Sequence, residues 1–242
     1  MSKVKISPVL IGGVAVNPYE SIEQLLSDVI APDGQVIPGM AVAINPEKVL
    51  KAQTDPETQE TLDQATIPFA DGIGVVKALE QKTGKKCIRI AGCELWLDIL
   101  HHSANYQSKV VLIGAKPHVI ERCNEILTSK NINVIAYQDG YFNDEEVIFK
   151  LIKDTIPDIV IVALGSPKQE KLIAKLRTIN NTALYMGVGG SFDVLAGNVK
   201  RAPEIWQKMN LEWFYRLVKE PKRIFRQIKL LKFLQLYLLK RL

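Results

Sequence analysis

Cysteine and histidine are scarce in this chain of 242 residues, with three of each. Cys87, Cys93 and Cys123 have no zinc-like spacing and form no pairable framework, so they read as reduced thiols and exclude a disulfide scaffold. His101, His102 and His118 are too few for a histidine metal cluster. No Asp-x-Asp pair occurs anywhere, which argues against carboxylates holding a divalent ion on a phosphorylated ligand. No metal and no cofactor is expected. No stretch reaches the length of a membrane span. The apolar run after the two N-terminal lysines is broken by Gly12-Gly13, so it reads as a first strand and not as a signal peptide. The chain is expected on the cytoplasmic side.

What is there suits a globular protein. An apolar fraction of 47% and a charged fraction of 24% are ordinary for a folded chain of this length, which can bury a sizeable core. The net charge of +5 is unevenly spread. From Lys200 onward 12 Lys/Arg stand against 3 Asp/Glu, a balance of +9, which leaves residues 1–199 at −4. A faintly acidic body with a basic tail points to an anionic surface met by the tail alone.

Runs rich in valine and isoleucine alternate with amphipathic stretches. The spacing predicts strands at Val9–Val16, Met40–Ile44, Ile67–Ala70, Cys87–Ala91, Lys109–Ile113, Asn133–Tyr137, Ile159–Leu164 and Ala183–Val188. Between them it predicts helices over Ser21–Ile30, Val75–Gln81, Glu94–His101, Pro117–Ser129, Asp144–Thr155 and Lys168–Leu176. That alternation implies an α/β fold, a Rossmann-like and largely parallel sheet flanked by helices. Strand signals stop after about Gly197. Residues 1–198 are therefore expected to form the core, and residues 199–242 a helical basic appendage. Within the appendage Pro221 marks a break, and Lys222–Leu242 reads as one helix. Its Ile224, Ile228, Leu231, Leu238, Leu239 and Leu242 gather on one face, with Lys222, Arg226, Lys229 and Lys240 opposite. Such a helix packs on its own domain, lies on anionic lipid or binds nucleic acid. Nucleic acid is the least favoured partner, because it would need aromatics interleaved with cations on one surface, whereas these cations share a face opposite leucine and isoleucine.

In an open parallel sheet the ligand sits beyond the carboxyl ends of the strands. Polar or glycine-bearing loops fall there at Asn45-Pro46-Glu47-Lys48, Asp71-Gly72-Ile73-Gly74, Gly114-Ala115-Lys116-Pro117, Gly165–Glu170 and Gly187–Asp193. Each runs toward a helix start, where N–H groups and the helix dipole favour phosphate. None matches Walker A or completes a dinucleotide fingerprint, but together they point to a nucleotide-type ligand. Gly187, Gly189, Gly190 and Asp193 are the binding candidates of the last loop. In FADGIGVV, residues 69–76, Asp71 stands alone at the end of an apolar run. It is either the N-cap of the helix from Ile73 or a partly desolvated general base acting on a hydroxyl. Spacing alone favours the cap.

Taken together, AINPEK, FADGIGVV, RIAGCELW, QDGYF, GSPKQE, MGVGGSFDVLAGNVKRAP and LEWFYRLVKEPKR resemble the WecG/TagA/CpsF family of bacterial glycosyltransferases. The likeness runs from about Ala41 to Arg226. VAINPEKVL, QDGYF, GSPKQE, LYMGVGG and VKRAPEIWQ are most similar to the members that build enterobacterial common antigen. Those move N-acetyl-D-mannosaminuronic acid from its UDP-sugar to undecaprenyl diphosphate-linked N-acetylglucosamine. The resemblance implies an inverting, metal-independent transfer giving a β-1,4 linkage, with Asp71 as catalytic base. It also implies an appendage that meets the inner face of the cytoplasmic membrane peripherally and helps close the site. Asn45 and Gln169 match positions lining the sugar pocket, though both also suit ordinary caps or turns. Arg216, Arg223 and Arg226 match appendage arginines, and arginine grips a departing diphosphate through paired donors. Arg201 is a further candidate.

One departure bears on the donor. The teichoic-acid members carry a threonine two positions before the asparagine, where this chain has Ala43. That leans the donor away from neutral N-acetylmannosamine, the sugar of those members. An acidic sugar needs a cation for its carboxylate; Lys48 and Arg89 are the candidates, and the sequence does not choose between them. Assembly into a homo-oligomer is left open.

Overall fold

The computed structural model describes residues 6–200, 202–203, 205–206, 209, 212–219 and 224–242. Val9–Ile11 (β1) and Val14–Val16 (β2) pair antiparallel across Gly12-Gly13. Both glycines have positive φ, which a two-residue turn between twisted strands demands. The single strand expected over Val9–Val16 is thus a hairpin.

The main sheet has six strands: Gly39–Ile44 (β3), Ile67–Ala70 (β4), Val110–Gly114 (β5), Val134–Gln138 (β6), Ile159–Ala163 (β7) and Leu184–Gly187 (β8). Their order is β4-β3-β8-β7-β5-β6 and every pairing is parallel. β5 and β7 are buried along their whole length, as strands covered on both faces must be. One face carries Pro46–Ala52 (α2), Pro56–Asp63 (α3), Ile73–Thr83 (α4), Glu146–Thr155 (α7) and Lys168–Ile179 (α8). The other carries Ile22–Val29 (α1), Gly92–Ala104 (α5), Pro117–Ser129 (α6) and Ser191–Leu195 (α9). The Rossmann-like α/β expectation holds.

One further local expectation does not. Cys87–Ala91 is no strand. It runs extended past the end of β4, anchored by Ile88 N–H to the Tyr19 carbonyl (3.0 Å) and Ile90 N–H to the Ala70 carbonyl (2.9 Å). Only Cys87 and Ile90 of the stretch are buried. The stretch after Asn45 does run into a helix start, and a second helix follows. Asn45 and Asp55 cap α2 and α3, and each helix has proline in its first turn.

In the appendage, Glu212–Lys219 (α10) and Ile224–Leu238 (α11) are helical. The last helix is shorter than expected, and the chain leaves it through a left-handed Lys240, φ 53°. It packs on α2 and α4 through Phe233, 3% exposed, and half-buried Leu236 and Tyr237. Gly74 makes room for this: a Cβ there would sit 3.2 Å from Phe233 Cε1 and 3.3 Å from Pro46 Cγ. Leu231, Leu234 and Leu238 form the outward stripe, 66%, 50% and 68% exposed. Of the apolar face expected from the sequence, Leu231, Leu238 and Leu239 face solvent and Leu242 is buried. The Ile224 and Ile228 side chains and Lys222 lie outside the described residues, as do the side chains of Arg226 and Lys229.

Candidate active site

Because all six strands are parallel, their carboxyl ends and the loops that leave them share one edge. The Asp71 N–H donates to the Ile44 carbonyl (2.9 Å), continuing the β3–β4 pairing one step past the strand. Gly72 then turns the chain into α4 with φ 111° and ψ 132°, and it holds the N-cap position without any side-chain hydrogen bond. That backbone belongs to glycine. Gly72, and not Asp71, is thus the N-cap residue of α4. Asp71 Oδ1 lies 3.6 Å from Arg89 Nε. Oδ2 faces the first residue of α5, where a Cβ on Gly92 would be 3.8 Å away; the Ala91 N-cap of that helix gives no side-chain hydrogen bond. A guanidinium and a helix N-terminus are both positive neighbours for a carboxylate. The Asp71 and Arg89 side chains remain 30% and 21% exposed, so the carboxylate is open to a ligand.

The loops after β3, β7 and β8 are joined by a buried polar chain. The Asn45 side chain caps α2 by accepting from Lys48 N–H (2.9 Å). Lys48 Nζ donates to the Ala43 carbonyl (2.9 Å) and to Glu170 Oε1 (2.8 Å). Their side chains are 12% and 4% exposed. Gln169 Nε2 donates to the same Glu170 oxygen (3.1 Å). Gln169 Oε1 accepts from the N–H of Gly165 (3.1 Å) and of Gly189 (2.9 Å). Burial alone pushes the Glu170 carboxyl up, but the Lys48 ammonium and the Gln169 amide together outweigh it and hold it below the usual carboxylate range.

These contacts sort the sequence candidates. The Lys48 charge is neutralised by Glu170, so of the two cations Arg89 is the one beside Asp71. Asn45 acts as a cap here, and Gln169 braces two loops. The space over Gly187 is filled by the Gln169 side chain, with which a Cβ would collide. Gly189 and Gly190 lead into α9, whose first turn holds Asp193. Burial first, and then the charge of Asp193, push the Cys123 thiol up to about 12. Burial also raises Cys87, so neither thiol is primed as a nucleophile. Arg201 and Arg223 lie outside the described residues; of Arg216 and Arg226 only the helical backbone is described. Among the described residues no three His, Cys, Asp or Glu side chains are grouped to hold a metal. Two surface clefts, lined by Leu26, Ile30 and Tyr106 and by His101, Lys130 and Asn133, lie toward the amino edge, away from this chemistry.

Sequence reasoning passed over Glu170 as a partner for Lys48, Gly92 as the floor under Asp71, and Phe233 as the anchor of the tail. Only Glu170 carried a signal, as a carboxylate opening a helix directly after a strand-end loop.

A parallel α/β sheet with its polar loops gathered at one edge defines a Rossmann-like protein whose ligand meets that edge, and it is consistent with a glycosyltransferase. The chain matches the Glycosyl transferase WecG/TagA/CpsF family over residues 9–242, and it belongs to that family. The family implies, in general, a nucleotide-sugar donor and a lipid-linked acceptor. No helix among the described residues is long and apolar enough to cross a membrane.

Proposed function

We propose that the chain is an inverting, metal-independent transferase for N-acetyl-D-mannosaminuronic acid, with the UDP-sugar as donor and undecaprenyl diphosphate-linked N-acetylglucosamine as acceptor. The supporting observation is Asp71, 30% exposed at the sheet edge and flanked by Arg89. The acceptor 4-hydroxyl attacks the anomeric carbon opposite the UDP, the bond to UDP breaks, and the hydroxyl proton passes to the Asp71 carboxylate. The product is β-1,4-linked and UDP leaves as an anion.

Without a metal, cations and backbone donors must stabilise that anion. Arg216, Arg223, Arg226 and Arg201 suit this role through paired N–H donors; Gly189, Gly190 and Asp193 belong to the loop that faces the nucleotide. Arg89, 21% exposed beside Asp71, suits the sugar carboxylate better than Lys48, which is 12% exposed and held by Glu170. Ala43, with no hydroxyl to offer, fits an acidic donor better than a neutral one. Asn45 and Gln169 border the sugar.

Residues 199–242 would dock the enzyme peripherally on the inner membrane face. The exposed Leu231, Leu234 and Leu238 stripe supports this, as does the basic balance of the tail. Polybasic attraction supplies about 1 kcal/mol per cation near an anionic surface.

The test is product formation by the full chain in excess EDTA, with UDP-N-acetylmannosaminuronic acid or UDP-N-acetylmannosamine and a short-chain lipid diphosphate–N-acetylglucosamine. Transfer of the acidic sugar is expected. Preference for the neutral sugar would overturn the donor, and activity only on adding Mg²⁺ or Mn²⁺ would overturn metal independence.

A further inference from the structure

We propose that Glu170 is a positioning residue, which holds the leaving-group loops in register with the Asp71 side of the site. The inference rests on the transferase reading for its catalytic consequence, but not for its geometry. Gln169 Oε1 joins the loops after β7 and β8 by accepting from Gly165 and Gly189. Glu170 Oε1 joins Gln169 to Lys48, and Lys48 joins both to the Ala43 carbonyl of β3. β3 pairs with β4 in the register Ala43↔Phe69 and Ile44↔Ala70, so Asp71 follows directly on the far side.

The carboxylate does something a neutral group cannot. An ionised carboxylate only accepts, whereas an amide has an accepting end and a donating end. Glu170 Oε1 therefore takes the Nε2 end of Gln169, which leaves the Oε1 end for the two glycine N–H groups. A residue able to donate would let the amide flip, and its NH₂ would then oppose both backbone donors. Stability is a poor explanation for the pair. Glu170 Oε2 is buried without a hydrogen-bond partner, and apolar residues of similar volume often replace a buried ion pair at no loss of stability. The glycine at 187 fits the same purpose, since the Gln169 side chain occupies the place of its Cβ.

Two variants of the full chain test this, Glu170→Gln and the double variant Lys48→Met/Glu170→Met. Amide exchange at Gly165 and Gly189, the melting temperature, UDP affinity and kcat are measured for each. Exchange protection at both glycines should fall at least about tenfold in both variants, with the sheet amides unchanged. Well below the melting temperature, kcat should fall by roughly 10²-fold, the scale of a 1 Å misplacement, while UDP affinity changes less. A purely structural role would lower the melting temperature and leave kcat intact. Wild-type exchange at Gly165 and Gly189 in the folded double variant overturns the relay, and lost protection with wild-type kcat overturns its positioning role. If the wild-type chain used neither UDP-sugar, the transferase reading would fall, while the exchange data would still decide the relay.

Discussion

Replacing Phe233 by alanine tests whether the last helix holds the Asp71 loop in place. The ring is 3% exposed and lies against Gly74 and Pro46, the first turns of α4 and α2. Truncating a buried phenylalanine costs about 3–5 kcal/mol, from lost transfer energy and the cavity left behind. The other anchors are weaker: Leu236 and Tyr237 are half-buried, and Leu242 packs at the chain end. If the whole loss falls on this helix, its undocked population rises by roughly two to four powers of ten. The core keeps its two layers of apolar side chains, so the opening should be local. Hydrogen exchange read by peptide is the assay. Peptides covering 224–242 should lose protection while those from β5 and β7 keep it, and transfer should drop at least about tenfold as the turns beside Asp71 loosen. Unchanged exchange over 224–242 would refute the buttress, and simultaneous loss in every peptide would refute local opening.

Asp71→Asn should fold normally and bind UDP, but lose about 10²–10⁴ in turnover; near-wild-type turnover would return Asp71 to a structural role. Leu231→Ser/Leu234→Ser/Leu238→Ser should weaken binding to anionic liposomes with little change in melting temperature, because all three side chains already face solvent; undiminished binding would take the stripe out of the docking surface. Glu170 titrates below its ordinary value in the fold, so its contribution to stability is full above the unfolded value of about 4.3 and is lost as pH falls through the lower folded value. Urea midpoints should therefore show wild type losing ground to Lys48→Met/Glu170→Met only on acidification below about pH 5, and parallel curves at all pH would contradict the pairing.

The sheet was legible because β-branched runs bounded by glycine, proline or charge have few other places to go. Ile67–Ala70 and Pro117–Ser129 have the bounds the spacing predicts. Failures fell where one apolar pattern admits two backbones. Val9–Val16 is one apolar run like a strand, and the positive φ at Gly12 and Gly13 folds it in two. Cys87–Ala91 has strand composition, yet it meets the fold through two backbone bonds and no ladder. At the site, Asp71 stood out by its isolation after an apolar run, but cap and base differ by one residue of helix start. The φ of Gly72 puts the N-cap one residue later than the spacing suggests, and no spacing rule reports it. Lys48 was readable as a cation and not as a paired one, because Glu170 is 122 positions away in sequence.

The last helix shows why periodicity alone cannot assign a partner. Leu231, Leu234 and Leu238 make one apolar stripe and Phe233, Leu236 and Tyr237 another, so the helix is apolar on two sides. The apolar face read from the sequence included Leu231, Leu238 and Leu239, which turn outward, and Leu242, which is buried. The core took the stripe with the aromatic ring, for which Gly74 leaves room: a Cβ there would sit 3.2 Å from Phe233 Cε1. A helix apolar on two sides needs two apolar neighbours, and among the described residues the fold supplies one. Under the proposed function the bilayer that holds the acceptor supplies the other. The same fifteen-residue helix would then buttress the Asp71 loop with one face and hold the lipid-linked substrate's membrane against the other.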